Sequence, residues 1–261
     1  MKRLAYILFA TVIAAASCSD VDEDERFNYM KPADVSRAVL IEDFTGQRCV
    51  NCPTAIEVIE ELQELYGADT VIAVGIHSGD LGFSGNSKYI GLKTELGQTY
   101  YDYWGAEYQP VGMINRQGLS DYTEWSALVY SALQETAPLD ISLGAEYDES
   151  SNSVDINVEL YGTNGSTDGY LQLWVIEDNI VAMQFLPDGS VDYEYVHNHV
   201  FRDAVNGDWG EEIEVTEGET VSLNDSYTLD DDWVAANVSI VAFVYNSSGV
   251  QQVTKASILN E

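Results

Sequence analysis

The chain has 261 residues, enough for one large domain or two of ordinary size, and its hydrophobic fraction of 46% supplies apolar material for packed cores. Against 11 Lys and Arg stand 44 Asp and Glu, a formal charge of -33 that repels nucleic-acid phosphates and anionic lipid surfaces and excludes nucleic acid as a partner. The acid excess reads most simply as a solvated surface, with specific cation binding as the alternative.

Residues 1–17 read as an export signal. Lys2 and Arg3 give a positive start, Leu4 to Ala16 form an apolar run broken only by Thr11, and Ser17 follows. The run is too short to span a bilayer as a helix, and its small-residue exit suits cleavage. The chain has three cysteines, Cys18, Cys49 and Cys52, and a leftover cysteine in an exported protein needs an explanation. Ala15-Ala16-Ser17-Cys18 resembles a lipobox, with Ala15 where a large aliphatic residue is usual. That resemblance implies a lipid on Cys18, which leaves Cys49 and Cys52 as a pair; secretion without a lipid is the alternative. Residues 18–36 are expected to be an acidic tether, because the run Ser19 to Glu25 cannot bury itself. The run also resembles the acidic export tag of surface lipoproteins of the Bacteroides group, with a plain solvated linker as the other reading.

From Arg37 the texture changes. Ala38 to Phe44 is a short apolar run, as expected of a strand buried on both faces. Thr45 to Arg48 is a turn, and Cys49-Val50-Asn51-Cys52-Pro53 opens a helix, where Pro is tolerated in the first turn. Ile56, Ile59, Leu62 and Leu65 carry the helix to Gly67 at helical spacing, and Thr70 to Ile76 is a second buried strand. Strand, helix, strand is the unit of a parallel sheet. Gly79 to Gly97 reads as an inserted loop and helix, Tyr100 to Trp104 as an aromatic cluster, and Gln109 to Asn115 as a loop entering a strand. Asp121 to Thr136 is expected to be helical, with Trp125, Leu128, Val129 and Leu133 on one stripe, and Pro138 marks a boundary.

After Pro138 the period becomes two. Leu139–Leu143 and Val154–Leu160 alternate, and further runs cover Tyr170–Ile176, Val191–Phe201, Thr220–Leu229, Val238–Tyr245 and Val250–Leu259. About seven short strands with turn signals between them predict an all-β immunoglobulin-like sandwich over residues 138–261.

The chemistry concentrates at the cysteine pair. Cys49 stands where a strand ends and a helix begins, beside unpaired backbone N–H groups and the positive end of the helix dipole. Both favour a thiolate, as does neighbouring Arg48, and the thiolate is the attacking species in thiol–disulfide exchange. Cys52, one turn on, is placed to resolve a mixed disulfide. This reading expects both sulfurs at an open, electropositive helix mouth.

The stretch Asp43-Phe44-Thr45-Gly46-Gln47-Arg48-Cys49-Val50-Asn51-Cys52-Pro53 resembles the strand, motif and helix of the thioredoxin superfamily. The resemblance implies a thioredoxin-like α/β domain over residues 37–137. It also implies a buried acid, Asp43, that assists proton transfer, and a cis-proline loop facing the disulfide, for which Pro110 is the candidate with Gln109 presenting backbone to substrate. Arg48 replaces the usual tryptophan, and the segment from the motif to Pro110 is longer than in minimal thioredoxins. The implied activity is thiol–disulfide exchange with protein thiols or disulfides, and no cofactor. The whole chain also resembles the Omp28-related lipoproteins of the Bacteroides group. The matching features are the lipoprotein start, Phe44-Thr45-Gly46 before the cysteine pair, Pro110 to Arg116, and Val196-His197-Asn198-His199-Val200-Phe201-Arg202. This resemblance implies an outer-membrane address, anchored through Cys18 and with the cell surface as one of two open faces, and a thioredoxin-like domain followed by a sandwich.

Other readings stay open. Cys49 and Cys52 could form a permanent staple, since exported disulfides persist. A zinc site is disfavoured because a closed one wants four ligands and no second cysteine pair exists, so no metal is predicted. His77, at a strand end, could carry a proton or simply be satisfied locally. His197 and His199, two apart on a predicted strand, would share a face and could hold a metal, but a third ligand is not evident. Asp230-Asp231-Asp232 could bind calcium or form an acidic turn. The Tyr100–Trp104 cluster could line a groove or pack a core. The functional choice is between an exchange enzyme and a non-catalytic surface binding or adhesion lipoprotein with a structural Cys49–Cys52 disulfide.

Overall fold

The computed structural model describes residues 35–259. The export signal, Cys18 and all but the last two residues of the expected tether lie outside the described residues. In chain order the elements are β1 (Val35–Ser36), β2 (Val39–Thr45), α1 (Cys52–Tyr66), β3 (Val71–His77), α2 (Glu95–Trp104), β4 (Val111–Ile114), β5 (Leu119–Ser120), α3 (Trp125–Ala132) and β6 (Thr136–Ala137). They continue with β7 (Leu139–Asp148), β8 (Ser153–Gly162), β9 (Thr167–Glu177), β10 (Ile180–Phe185), β11 (Val191–His197) and β12 (Val200–Ala204). The last are β13 (Glu211–Val215), β14 (Thr220–Thr228), β15 (Val238–Asn246) and β16 (Gly249–Ser257).

β2 and β3 are buried at every position, which their continuous apolar sequences require, and they pair in parallel from Val39–Val71 to Thr45–His77. Alternation splits β2 between two cores. Val39 and Ile41 pack with Ala55, Ile59 and Leu62 of α1, and Leu40 and Phe44 pack on the opposite face around Tyr100 of α2. β4 lies antiparallel on the other side of β2, with Phe44 opposite Val111, and β5 follows at the edge.

The sheet does not stop there. Its order is β16-β15-β9-β12-β3-β2-β4-β5, with β13 also on β9, so strands from both halves of the chain share one mixed sheet. The seam is the parallel contact of β12 with β3, where the Gly75 amide donates to the His199 carbonyl at 2.8 Å. The core around Tyr100 likewise joins Leu40, Ile72 and Val74 to Trp174, Phe201 and Phe243. The three-stranded sheet β14-β8-β7 covers the far end of the large sheet, and Leu139, Ile156 and Leu160 meet Leu171, Leu173 and Ile240 between them.

Across the expected boundary at Pro138 the described residues 35–259 stay in one compact unit. The alternating strands do make a layered sheet pair, but one layer is continuous with the α/β part, so they do not close into a separate sandwich. The expected helix 121–136 is a short 3-10 turn, Tyr122–Glu124, followed by α3, after which the chain enters β6 to pair with β1.

Besides the two-residue strands β1, β5 and β6, the strands β10 and β13 were not legible as such. The run Val191–Phe201, expected as one strand, is two: β11 ends at His197, and β12 starts at Val200 after His199 turns left-handed at φ +56°. Among the described residues β10 and β11 pair only with each other, as a hairpin outside the large sheet.

Candidate functional site

β2 delivers the chain to the turn Gly46–Asn51, and α1 begins at Cys52 with Pro53 in its first turn, where no N–H is required. Cys49 and Cys52 form a disulfide with Cα atoms 5.4 Å apart. Cys49 is 1% exposed and Cys52 2%, which corrects the expectation of sulfurs open at a helix mouth.

Two distant segments account for the seal. The loop 79–93 presents the Leu81 carbonyl to the Arg48 amide at 3.0 Å, so closely that a Cβ on Gly46 would stand 2.5 Å from that oxygen. The hairpin β10–β11 comes from the second half of the chain. Its Phe185 amide donates to the Gln47 carbonyl at 2.9 Å, and the Gln184 side-chain amide donates to the Cys49 carbonyl at 2.9 Å. Gln47, fully buried, holds both covers: its amide donates to the carbonyls of Ile90 and Met183 at 3.1 Å each, and its oxygen accepts from the Leu92 amide at 2.9 Å. Arg48 turns its guanidinium over the Phe83 ring, 4.8 Å from the centroid.

Beside Cys52 lies a cavity of about 20 Å³, room for roughly one water, with Thr45, His77, Gln184, Tyr195 and His197 in its wall. Asp43 sits on the same face of β2 as Thr45, toward α1, and opposite Gly75 and Gly112, which carry no side chain to crowd it. It is fully buried, neither carboxylate oxygen has a hydrogen-bond partner among the described residues, and burial pushes its pKa up to about 8. His77 Nδ1 and His197 Nε2 are also buried without partners among those residues, and the two rings stand 5.3 Å apart. Burial holds His77 well below the usual histidine range, aided by His197 and Arg202, and burial lowers His197 to about 4. Both imidazoles are therefore neutral near pH 7, and Asp43 keeps a proton that it can exchange there.

Pro110 follows a cis peptide bond from Gln109 and leads into β4, whose first residue, Val111, lies opposite Phe44. The proline loop and the cysteine turn thus emerge at the same end of the sheet. The Gln109 side-chain amide donates to the carbonyls of Thr45 and Ser78, which ties together the ends of β2 and β3.

The remaining candidates separate. His197 and His199 do not share a face, because the strand breaks between them; His199 Nδ1 lies 3.0 Å from Asp178 instead. Asp230 accepts from the Asp232 amide at 3.0 Å in an acidic turn, and no cluster of His, Cys, Asp and Glu suited to a metal occurs among the described residues. Tyr100 is fully buried in the core, so at least that member of the aromatic cluster lines no groove. Sequence reasoning gave no role to Gln47 or Gln184, and a lone glutamine offers no local signal. It also missed the buried Arg116–Glu42 ion pair at 3.2 Å, roofed by Phe243 and Tyr245 with ring centroids 4.7 and 4.1 Å from the guanidinium.

The family profile described as outer membrane protein Omp28 matches residues 97–261, a stretch that begins after the cysteine pair. HBP35 of Porphyromonas gingivalis superposes with a TM-score of 0.67 at 16% identity, over 86% of this chain and 76% of that one, a likeness of fold. A domain of the outer membrane lipoprotein Omp28 from Porphyromonas gingivalis aligns at 28% identity over 47% of this chain and 88% of that one, with a TM-score of 0.34. No curated protein matches the chain. No helix among the described residues is long and apolar enough to cross a membrane.

Proposed function

The chain belongs to the Omp28 family of outer membrane proteins, and from that premise we propose that it is anchored by a lipid on Cys18 and carries at Cys49–Cys52 a thioredoxin-like thiol–disulfide exchange centre, held closed. The observation that carries the reading is Asp43. An acid buried without a partner costs a folded protein several kcal/mol, by the magnitudes for unsatisfied polar groups. A staple has no use for it: closing so short a loop contributes about 2 kcal/mol, and no acid is needed nearby. An exchange centre does use it, because the sulfur released when the disulfide opens must gain a proton. The strand order β3-β2-β4-β5 with β4 antiparallel, the cis peptide before Pro110 and the position of Cys52 at the start of α1 support the same reading.

In the reducing direction, a thiolate of a partner dithiol attacks the Cys49 sulfur. The Cys49–Cys52 bond breaks, and Cys52 leaves as a thiolate and takes the Asp43 proton. The partner's second thiol, once deprotonated, attacks its own sulfur in the mixed disulfide and expels Cys49 as a thiolate. The partner is oxidised to a disulfide, this chain is reduced by two electrons, and the partner's two protons replace those gained by Cys49 and drawn from Asp43. The opposite flow reverses each step.

A second reading, a non-catalytic surface protein with a structural disulfide, draws on the 1% and 2% exposure of the two cysteines. The pH profile of reduction by a small dithiol separates the two. Asp43→Asn is expected to slow reduction at least tenfold near pH 7 and to change the shape of the profile. Superimposable profiles for the two proteins would remove Asp43 from the chemistry and favour the staple.

A further inference from the structure

We infer that the β10–β11 hairpin, Ile180 to His197, is a hinged strap that closes the Cys49–Cys52 disulfide and must lift before a protein thiol can reach it; this rests on the exchange reading above. The hairpin's attachment differs from that of the other strands from the second half of the chain. β9, β12 and β15 are built into the large sheet, whereas β10 and β11, among the described residues, have no ladder partner except each other. Polar contacts to the cysteine turn hold the hairpin down, from the Phe185 amide to the Gln47 carbonyl, from Gln47 to the Met183 carbonyl, and from Gln184 to the Cys49 and Gly46 carbonyls, together with two ring contacts, Tyr193 stacked on Tyr89 at 5.2 Å and His197 against His77 at 5.3 Å. Its apolar seat is small: Ala182 and Ile180 meet Leu92 and Val200 in a satellite cluster apart from the three main cores. The cross-strand pair Val181–Val196 faces solvent, each about half exposed.

The base of the hairpin has the form of a hinge. Asn179 and His199 both adopt left-handed backbone, at φ +59° and +56°, where β9 leaves the sheet and β12 re-enters it. Side chains pin them: the Asn179 amide donates to Asn198 Oδ1 at 2.9 Å, and the His199 amide donates to Asp178 Oδ1 at 2.5 Å. These bonds link the two legs at the base and do not involve the tip, so they can persist while the strap swings. A segment with few buried apolar contacts and a handful of hydrogen bonds opens without global unfolding. Because Gln184 binds the carbonyl of Cys49 itself and lines the cavity beside Cys52, lifting the strap removes cover from the disulfide directly.

The test pairs two measurements on the full chain under native conditions: the rate of Cys49–Cys52 reduction by dithiothreitol, and hydrogen exchange of the 180–197 segment. In the wild type, reduction is expected to follow opening of that segment rather than global unfolding. Gln184→Ala, and Gln184→Glu, which keeps the size but sets an acceptor against the carbonyl oxygens of Gly46, Cys49 and Phe185, are expected to speed both about tenfold. Faster exchange of the segment with an unchanged reduction rate would overturn the strap, as would wild-type reduction that tracks only global unfolding. The wild-type comparison needs no variant, so a variant that fails to fold does not rescue the idea. Failure of the strap leaves the reduction potential and the Asp43 effect untouched, whereas failure of the exchange reading appears in those two quantities while the strap still gates the bond.

Discussion

Gln184 donates its side-chain amide to the backbone carbonyl of Cys49 at 2.9 Å, across 135 residues of chain. The second half of the molecule thus completes the first, since a residue from beyond the expected domain boundary covers the cysteine turn. The same holds for the cavity beside Cys52, whose wall combines Thr45 and His77 with Tyr195 and His197. The buried pair and the unpartnered Asp43 lie at the same end of β2, and burial keeps the Asp43 carboxyl protonated near pH 7.

Asp43 gives stability a pH slope of known sign. Its pKa is raised from the ordinary value of 3.8 to about 8 in the fold, so folding carries no ionisation penalty below pH 3.8 and loses stability as pH rises toward 8. Asp43→Asn is expected to match the wild type near pH 4 and to exceed it by a few kcal/mol, on the order of a large buried-carboxyl effect, at pH 8. Urea unfolding of the oxidised proteins at both pH values checks this.

The histidines act on the acid side. The folded His197 titrates at about 4 and the unfolded one near 6.5, so the unfolded chain binds the extra proton first and stability falls as pH drops from 6.5 toward 4. His77, also lowered, adds to the same slope. His197→Gln is expected to flatten it, as read from Tm between pH 7 and pH 4.5. A slope unchanged by the substitution would mean that His197 is not neutral in the fold.

The Arg116 and Glu42 side chains are each 1% exposed, and burial raises the Glu42 pKa despite the opposing pull of Arg116. Removing one partner strands the other, so Arg116→Met is expected to cost about 3–5 kcal/mol, and Arg116→Met with Glu42→Gln to recover most of it. Denaturant unfolding of the single and double variants measures both.

Gly46 permits a close approach of the cover loop. A Cβ would meet backbone, the Leu81 carbonyl oxygen at 2.5 Å, which cannot swing aside as a side chain would. Gly46→Ala is expected to destabilise by about 1–3 kcal/mol and to speed hydrogen exchange in 79–93 before any change in β7 or β8. Equal exchange in that loop would show that it does not rest on the turn.

The α/β start was legible because its signals are local. Two apolar runs flank a helical period, and a proline follows the second cysteine, which suffices to place β2 and β3 one residue from where they lie, while the helix expected to open at Cys49 starts at Cys52. Pro110 came from the resemblance to the thioredoxin superfamily, which asks for a cis-proline ahead of a strand, and the apolar run from Val111 picked it out. The period of two after Pro138 likewise identified strands, but alternation says only that a strand has two faces, not which strand lies beside it. The contact of β12 with β3 depends on Gly75 meeting the His199 carbonyl, and no pattern in either run announces it. The break at Asn198–His199 was invisible for a similar reason: hydrophobic alternation is silent about a positive φ, so β11 and β12 read as one strand and the two histidines as neighbours on one face. The electropositive helix start was a sound reason to look at Cys49, yet it carries no information about a cover supplied by residues far along the chain.

The most direct test of an exchange centre under a cover is the equilibrium reduction potential of Cys49–Cys52, which access does not affect. Titrated in dithiol redox buffers until the ratio no longer changes, the pair is predicted to lie above about -300 mV, in the range of catalytic disulfides. A value well below about -300 mV, that of a structural bridge, would contradict the account.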